Sequence, residues 1–147
     1  MNKLKLLLIG ILSILALVGC NQPFAFPAES DFTLVSNVSN RSPNVGEEFE
    51  INAVLQNSLD SNYKIAHGPD VIGIYVVELN QPVIKTGPGR TTDLKAKEKI
   101  TKSHKLKLEK AGKYEIVVDA DFSISNPKTN EQKTYLIKTE PIVIEVK

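Results

Sequence analysis

The sequence is poor in the residue types that usually perform chemistry. Its 147 residues include one cysteine, two histidines and no tryptophan. The single cysteine, Cys20, excludes a disulfide within the chain and a cysteine-based metal cluster. The signatures H-E-x-x-H and G-x-S-x-G are absent, and so is a glycine-rich phosphate loop. We therefore expect a protein that is not an enzyme.

The chain also lacks an excess of charge of either sign. It has 18 Lys and Arg against 17 Asp and Glu. Two of the bases lie in the N-terminal segment, so 16 bases remain beyond it. This balance gives no reason to expect nucleic acid as a partner. The lysines cluster between residues 95 and 113, where they would either protect a sheet edge, as we favour, or attract anionic lipids or polymers. They are Lys95, Lys97, Lys99, Lys102, Lys105, Lys107, Lys110 and Lys113.

The first 20 residues are organised as a targeting segment. Lys3 and Lys5 precede an almost unbroken apolar run over residues 6–18. As a helix this run would be about 20 Å long, too short for a hydrocarbon core of about 30 Å. It ends in L-V-G-C at residues 17–20, which resembles the lipobox of bacterial lipoproteins. The resemblance implies that the Cys20 thiol receives a diacylglycerol and that the chain is cut before it; the alternative is an ordinary secretory signal with an unrelated cysteine.

The lipobox resemblance implies a location and three segments. Residues 1–19 would be a signal peptide, residues 20–30 the lipidated cysteine with a tether, and residues 31–147 one folded domain. Fatty acyl chains such as palmitate would hold the domain at the extracytoplasmic face of the cell membrane, since two chains anchor a protein stably. Whether the amino group of Cys20 is also acylated stays open. Phe24 and Phe26 in the tether would enter the headgroup region or pack on the domain.

Beyond residue 30 the pattern is that of strands. Apolar residues alternate with polar ones, most clearly over residues 114–124, and turn residues separate such segments at short intervals. Pro141 lies where the apolar phase changes from odd to even positions, which predicts a one-residue bulge. About seven or eight strands predict an all-β, antiparallel β-sandwich. The other main predictions are strands at 49–55 and 71–79, an edge strand at 82–85 and a turn at 86–90.

Two stretches sharpen this fold class. A-G-K-Y at residues 111–114 resembles the tyrosine corner of immunoglobulin-like sandwiches, which implies that the Tyr114 hydroxyl bonds back to the preceding corner. N-V-G-E-E-F-E-I-N-A-V-L-Q-N, beginning at residue 44, together with A-G-K-Y-E-I-V-V is similar to the immunoglobulin-like modules of bacterial surface lipoproteins, including the bacterial intracellular proteinase inhibitor family. The resemblance implies an immunoglobulin-like β-sandwich, and no inhibitory loop is carried over.

The candidate polar sites are few. Asp119 and Asp121 lie two residues apart on a predicted strand, so both project from one face and could bind a hard cation. His67 and Asp70 could form a small metal site. Ordinary solvated side chains explain both sets better, so we assign no metal and no cofactor. His104 shares the phase of neighbouring apolar residues, which predicts partial burial.

These observations predict a membrane-anchored, non-enzymatic binding or interaction module. Its contacts would be the bilayer, through diacylglycerol on Cys20, and a surface protein or an anionic polymer. A carrier of a small ligand or metal ion at the cell surface is the alternative. The sequence leaves the ligand and the oligomeric state open.

Overall fold

The computed structural model describes residues 24–79 and 89–147. Cys20, the lipobox, the edge strand expected at 82–85 and most of the turn expected at 86–90 lie outside the described residues, and they stay predictions. In the part that is described, no helix is long and apolar enough to cross a membrane. The helical elements there are two short 3₁₀ turns, Glu29–Asp31 and Val77–Leu79.

The described chain forms two antiparallel sheets. The first has the strand order β1-β2-β5, and the second has the order β4-β3-β6-β7, with β8 also pairing with β6. This arrangement confirms the predicted immunoglobulin-like β-sandwich. The strands are β1 (Phe32–Val38), β2 (Glu48–Asn57), β3 (Tyr63–Val76), β4 (Arg90–Leu94), β5 (Lys99–Lys107), β6 (Gly112–Ser125), β7 (Gln132–Lys138) and β8 (Ile142–Val146).

The core lies between the two sheets and follows the alternation of the sequence. Every second residue of β6 from Tyr114 to Ile124 is buried. Three aromatic rings form one end of this core. Phe122 stacks on Tyr135 with 5.2 Å between ring centroids, and Phe32 meets both rings edge to face. Each such ring pair stabilises the fold by about 0.5–1.5 kcal/mol in addition to the stabilisation from the apolar area that it buries.

Strand β3 differs from its prediction at both ends. It begins at Tyr63 rather than at residue 71, and residues 77–79 form a 3₁₀ turn instead of strand. Its register with β6 shifts between His67 and Ile72, so the H-G-P-D segment is a bulge inside a strand. The bulge could not be predicted from the sequence, because glycine and proline are typical of turns as well as of bulges.

Two local predictions are confirmed. The Tyr114 hydroxyl donates a hydrogen bond to the Lys110 carbonyl oxygen at 3.0 Å, which is the tyrosine corner. Strands β7 and β8 both pair with β6, and the register advances by one residue between Lys138 and Ile142. That extra residue is the bulge expected at Pro141.

The segment before β1 is attached to the sandwich. Phe24 and Phe26 contact each other edge to face at 5.1 Å and pack against the core. The carbonyl oxygen of Pro27 accepts hydrogen bonds from the Tyr135 hydroxyl at 2.9 Å and from Lys133 Nζ at 2.8 Å. The two phenylalanines therefore pack on the domain, which was one of the two alternatives for them.

Candidate functional site: a side cleft between β3 and β5

An open cleft runs along one side of the sandwich. Strand β5 is the last strand of the first sheet. In the second sheet, β4 pairs with β3 from Tyr63 to His67. The later part of β3, Ile72–Val76, pairs with β6 on one side, and no described strand pairs with its other side. The side cleft lies between these two strand edges, and Lys102 divides it into two compartments.

Lys102 is the residue that the two compartments share. Its Nζ atom donates to the carbonyl oxygen of Ile72 at 2.9 Å and pairs with Asp70 at 3.0 Å, so it links the two sheets. The upper compartment, of about 260 Å³, is lined by Ile51, Ile74, Tyr75, Val76, Leu79, Lys102, His104 and Leu106. The lower compartment, of about 220 Å³, is lined by His67, Pro69, Asp70, Val71, Ile72, Ile100, Thr101 and Lys102. Both are smaller than the 300–1,000 Å³ common for organic-ligand pockets.

His67 lies in the lower compartment with both ring nitrogens engaged. Nδ1 is 2.6 Å from the Gly68 carbonyl oxygen, and Nε2 is 2.8 Å from the Thr92 hydroxyl. Because a carbonyl oxygen only accepts, Nδ1 carries the proton of this contact. Neither nitrogen is available to a metal unless one of these bonds breaks. Within residues 24–79 and 89–147, no three His, Cys, Asp or Glu side chains are grouped to hold a metal ion.

His104 lies in the upper compartment, but its predicted burial is wrong. It has the inward phase expected from the sequence, opposite Ile51 of β2. Its side chain is nevertheless exposed. The reason is that β5 is an edge strand beside an open cleft, so an inward-facing side chain there still reaches solvent.

The acidic pair lies on the outer face of the second sheet. Asp119 and Asp121 share that face, as predicted, but Asp119 is only 8% exposed rather than solvated. The hydroxyl of Tyr75 donates a hydrogen bond to the Asp119 carboxylate. Burial first, and then this bond, raises the pKa of the Tyr75 hydroxyl, because both favour its protonated form. The burial of Asp119 was missed because the residue that bonds it is 44 positions away in the chain.

Among the described residues, four of the eight clustered lysines form an ion pair with an acidic side chain. Lys97 pairs with Asp60, Lys102 with Asp70, Lys105 with Glu48 and Lys107 with Glu109, at N···O distances from 2.8 to 3.4 Å. On the exposed face of β5, the hydrogen bond that Lys105 donates to the Glu48 carboxylate raises the pKa of Lys105. These pairs lower the net positive field of the cluster, so its attraction for a polyanion is weaker than eight lysines suggest.

On the cleft side, the backbone of β5 presents an edge with which no described strand pairs. The Asn57 amide donates to the Glu98 carbonyl oxygen at 3.0 Å, in the register of the β2–β5 ladder. In an antiparallel ladder alternate residues face the partner strand, so the even-numbered residues of β5 bond to β2. The odd-numbered ones point their N–H and C=O groups away from β2, and no backbone partner meets them within the described chain. These edge residues are Lys99, Thr101, Ser103, Lys105 and Lys107.

Comparison with known proteins gives likeness of fold only. No protein-family model and no curated protein sequence matches the chain. Among solved structures, it is similar to a CARDB domain from Pyrococcus furiosus crystallised with two metal ions, with 16% identity and a TM-score of 0.45 over 85% of this chain and 97% of that one. It is also similar to the C-terminal domain of Wzt, with 9% identity and a TM-score of 0.47 over 80% and 74% of the two chains. A PapD-like domain of a human protein has 13% identity and a TM-score of 0.45 over 87% and 93%. Likeness at this level concerns the fold alone, and no ligand or activity of these proteins is transferred to the chain.

Proposed function

We propose that the chain is an extracytoplasmic lipoprotein, anchored in the cell membrane through a diacylglycerol on Cys20, whose sandwich is a non-enzymatic binding module. The observation that carries the binding role is the unpaired edge of β5 beside the open side cleft. Exposed strand edges are sites where proteins bind extended partners through main-chain hydrogen bonds. Such binding needs no reactive side chain, which agrees with the sparse chemistry of the sequence.

The attachment of residues 24–27 supports a close membrane position. Three residues, 21–23, separate Cys20 from Phe24, which is the first described residue and packs on the sandwich. At about 3.5 Å per residue, the distance from Cys20 to Phe24 is at most about 14 Å. The end of the sandwich that holds Pro27 would therefore face the bilayer, and β5 would begin near that end.

The polar groups of the cleft have structural partners, which supports a binding role rather than catalysis. His67 joins β3 to β4 through Thr92, and Lys102 joins the two sheets through Ile72. A catalytic histidine needs a nucleophile or a substrate proton within reach and an accessible reacting atom. Thr92, although bonded to His67, is not among the residues that line either compartment.

A carrier of a small organic ligand is the second candidate. The upper compartment combines apolar walls, such as Ile74 and Leu106, with the polar ends of His104 and Lys102. Its volume of about 260 Å³ lies below the range common for organic-ligand pockets, so it would hold only a very small molecule. Loss of function on substitution of His104 alone would favour this candidate.

The proposal is tested by comparing single substitutions with a gene deletion. Cys20→Ser should release the protein from the membrane fraction and reproduce the deletion phenotype. His67→Ala and His104→Ala should keep function, provided that immunoblots show normal amounts. Asp119→Ala is unsuitable as a neutral control because Asp119 is buried. If a folded, membrane-bound histidine variant lost function, a ligand or catalytic site would replace the binding-module proposal.

A further inference from the structure

We propose that β5 binds an extended polypeptide segment in which acidic and apolar residues alternate, added as a new strand at its unpaired edge. The inference rests on the proposed binding function and names the chemistry of the partner. Strand β5 has nine residues, which corresponds to about 30 Å of edge. The five edge residues would supply the main-chain hydrogen bonds of the added strand.

The apolar half of the pattern follows from the side cleft. A strand beside β5 would continue the first sheet over the space next to Ile72–Val76 of β3. No described strand pairs with that side of Ile72–Val76. Successive side chains of a strand point to opposite faces. Every second side chain of the added strand would therefore enter the cleft beside Ile74, Val76 and Leu106. Apolar side chains fit this wall.

The acidic half follows from the outer face of the first sheet. The side chains of Lys99, Lys105 and Lys107 are exposed there. Lys105 forms an ion pair with Glu48 and lies opposite Glu50, and Lys107 forms an ion pair with Glu109. Lys99, opposite Gln56, has no acidic side chain within 4 Å among the described residues. Opposite charges on directly facing strands stabilise a pair by about 0.2–1 kcal/mol. The remaining side chains of the added strand would meet these lysines, and carboxylates suit them.

The same lysines argue against a second copy of this chain as the occupant. If two β5 strands paired antiparallel around Ser103, Lys99 would face Lys107 of the other copy, and Lys105 would face Thr101. Two lysine–lysine pairs would result, one at each end. Like charges directly opposite destabilise strand pairing, and edge lysines are a common means of preventing self-association. An acidic segment turns this repulsion into attraction.

The experiment measures binding of a synthetic probe to the mature lipidated chain in phosphatidylcholine nanodiscs, with empty nanodiscs as the blank. The probe is a capped, fluorescent nine-residue peptide that alternates glutamate and valine. A matched peptide replaces every glutamate with lysine. We expect saturable binding of the glutamate peptide and at least about tenfold weaker binding of the lysine peptide, a difference of about 1.4 kcal/mol.

Two pairs of variants test where and how the peptide binds. Thr101→Pro removes an edge N–H, a change that edge strands tolerate, and should weaken binding by about tenfold. Thr101→Ala keeps that N–H and should bind the peptide more tightly than Thr101→Pro does. Replacing both Lys105 and Lys107 by Glu should reverse the peptide preference. Circular dichroism checks that each variant is folded.

The outcomes separate the inference from the function on which it rests. Equal binding of the two peptides, or equal affinity of Thr101→Pro and Thr101→Ala, would overturn the acidic-strand inference and leave the anchored binding module standing. A dimer in sedimentation that Thr101→Pro dissolves would show that a second copy is the occupant, and would also overturn it. Membrane association of Cys20→Ser equal to wild type would overturn the proposed anchoring, whatever the peptides do.

Discussion

Asn57 should be one of the most sensitive polar positions of the fold. Its side chain is fully buried at the end of β2. Nδ2 donates to the carbonyl oxygens of Ser61 at 2.8 Å and Lys95 at 2.9 Å, and Oδ1 accepts from the Leu59 amide at 3.0 Å. One amide group thereby ties the β2–β3 loop to the turn that starts β5.

The size of the effect follows from what Asn57→Ala would leave behind. The Ser61 carbonyl oxygen and the Leu59 amide would lose their partner, whereas the Lys95 carbonyl oxygen would keep its bond from the Glu98 amide at 3.2 Å. An unsatisfied buried group costs about 1–3 kcal/mol. Because these partners lie in loops that water can partly reach, we expect a loss near the lower limit, about 2–4 kcal/mol in total. A domain of this size has about 5–15 kcal/mol of stability, so the variant should unfold at a clearly lower urea concentration.

Equilibrium unfolding in urea measures the effect, with Asn37→Ala as the matched control. Asn37 is an exposed asparagine on β1, in the same sheet, and its loss should change stability by less than about 0.5 kcal/mol. Asn57→Asp adds a second test, because a carboxylate would face two carbonyl oxygens at neutral pH. Its destabilisation should shrink as the pH is lowered and the new carboxyl group is protonated. Equal midpoints for Asn57→Ala and Asn37→Ala would show that the hydrogen bonds of Asn57 do not stabilise the fold.

Two further predictions concern buried tyrosines. Tyr114→Phe removes the bond to the Lys110 carbonyl oxygen and should lower the free energy of unfolding by about 0.5–1.5 kcal/mol; a midpoint equal to wild type would remove the corner from the account. Burial raises the pKa of Tyr135 to about 12 from its ordinary value of 10.0. The folded state thus holds the hydroxyl proton of Tyr135 more tightly than the unfolded state does. The free energy of unfolding that this difference contributes is complete below pH 10 and is lost as the pH rises towards 12. Tyr135→Phe should be less stable than wild type by about 1 kcal/mol at pH 7 through the lost bond to Pro27, and this gap should narrow by pH 11 in chemical unfolding. A constant gap would contradict the raised pKa.

Most of the fold could be predicted from local sequence patterns. Strand β6 was predictable because one face is buried along its whole length, which imposes strict alternation. Tyr114 and the bulge at Pro141 were predictable because their causes lie within a few residues in the chain. The first half of β3 was not, since a bulge at H-G-P-D looks like a turn in sequence. Strand β4, R-T-T-D-L, has one buried residue and so carries almost no periodic signal.

The candidate site depended on contacts between distant segments, so the sequence alone did not reveal it. The cleft exists because β5 ends one sheet and β4 covers only part of β3, which is a property of topology. The link from Lys102 to Ile72 spans 30 positions, and that from Asn57 to Lys95 spans 38. The residue types of His67 and Asp70 suggested a site, but their actual hydrogen bonds join elements of the fold.

If Cys20 fixes this domain to the membrane, mass spectrometry of the protein extracted from membranes should show it. We expect a mature chain that begins at Cys20 and carries a diacylglycerol on that residue. We also expect that Cys20→Ser yields no lipidated species and leaves the membrane fraction. A membrane-extracted chain that carries no lipid on Cys20, or that starts at another residue, would show that Cys20 is not the anchor.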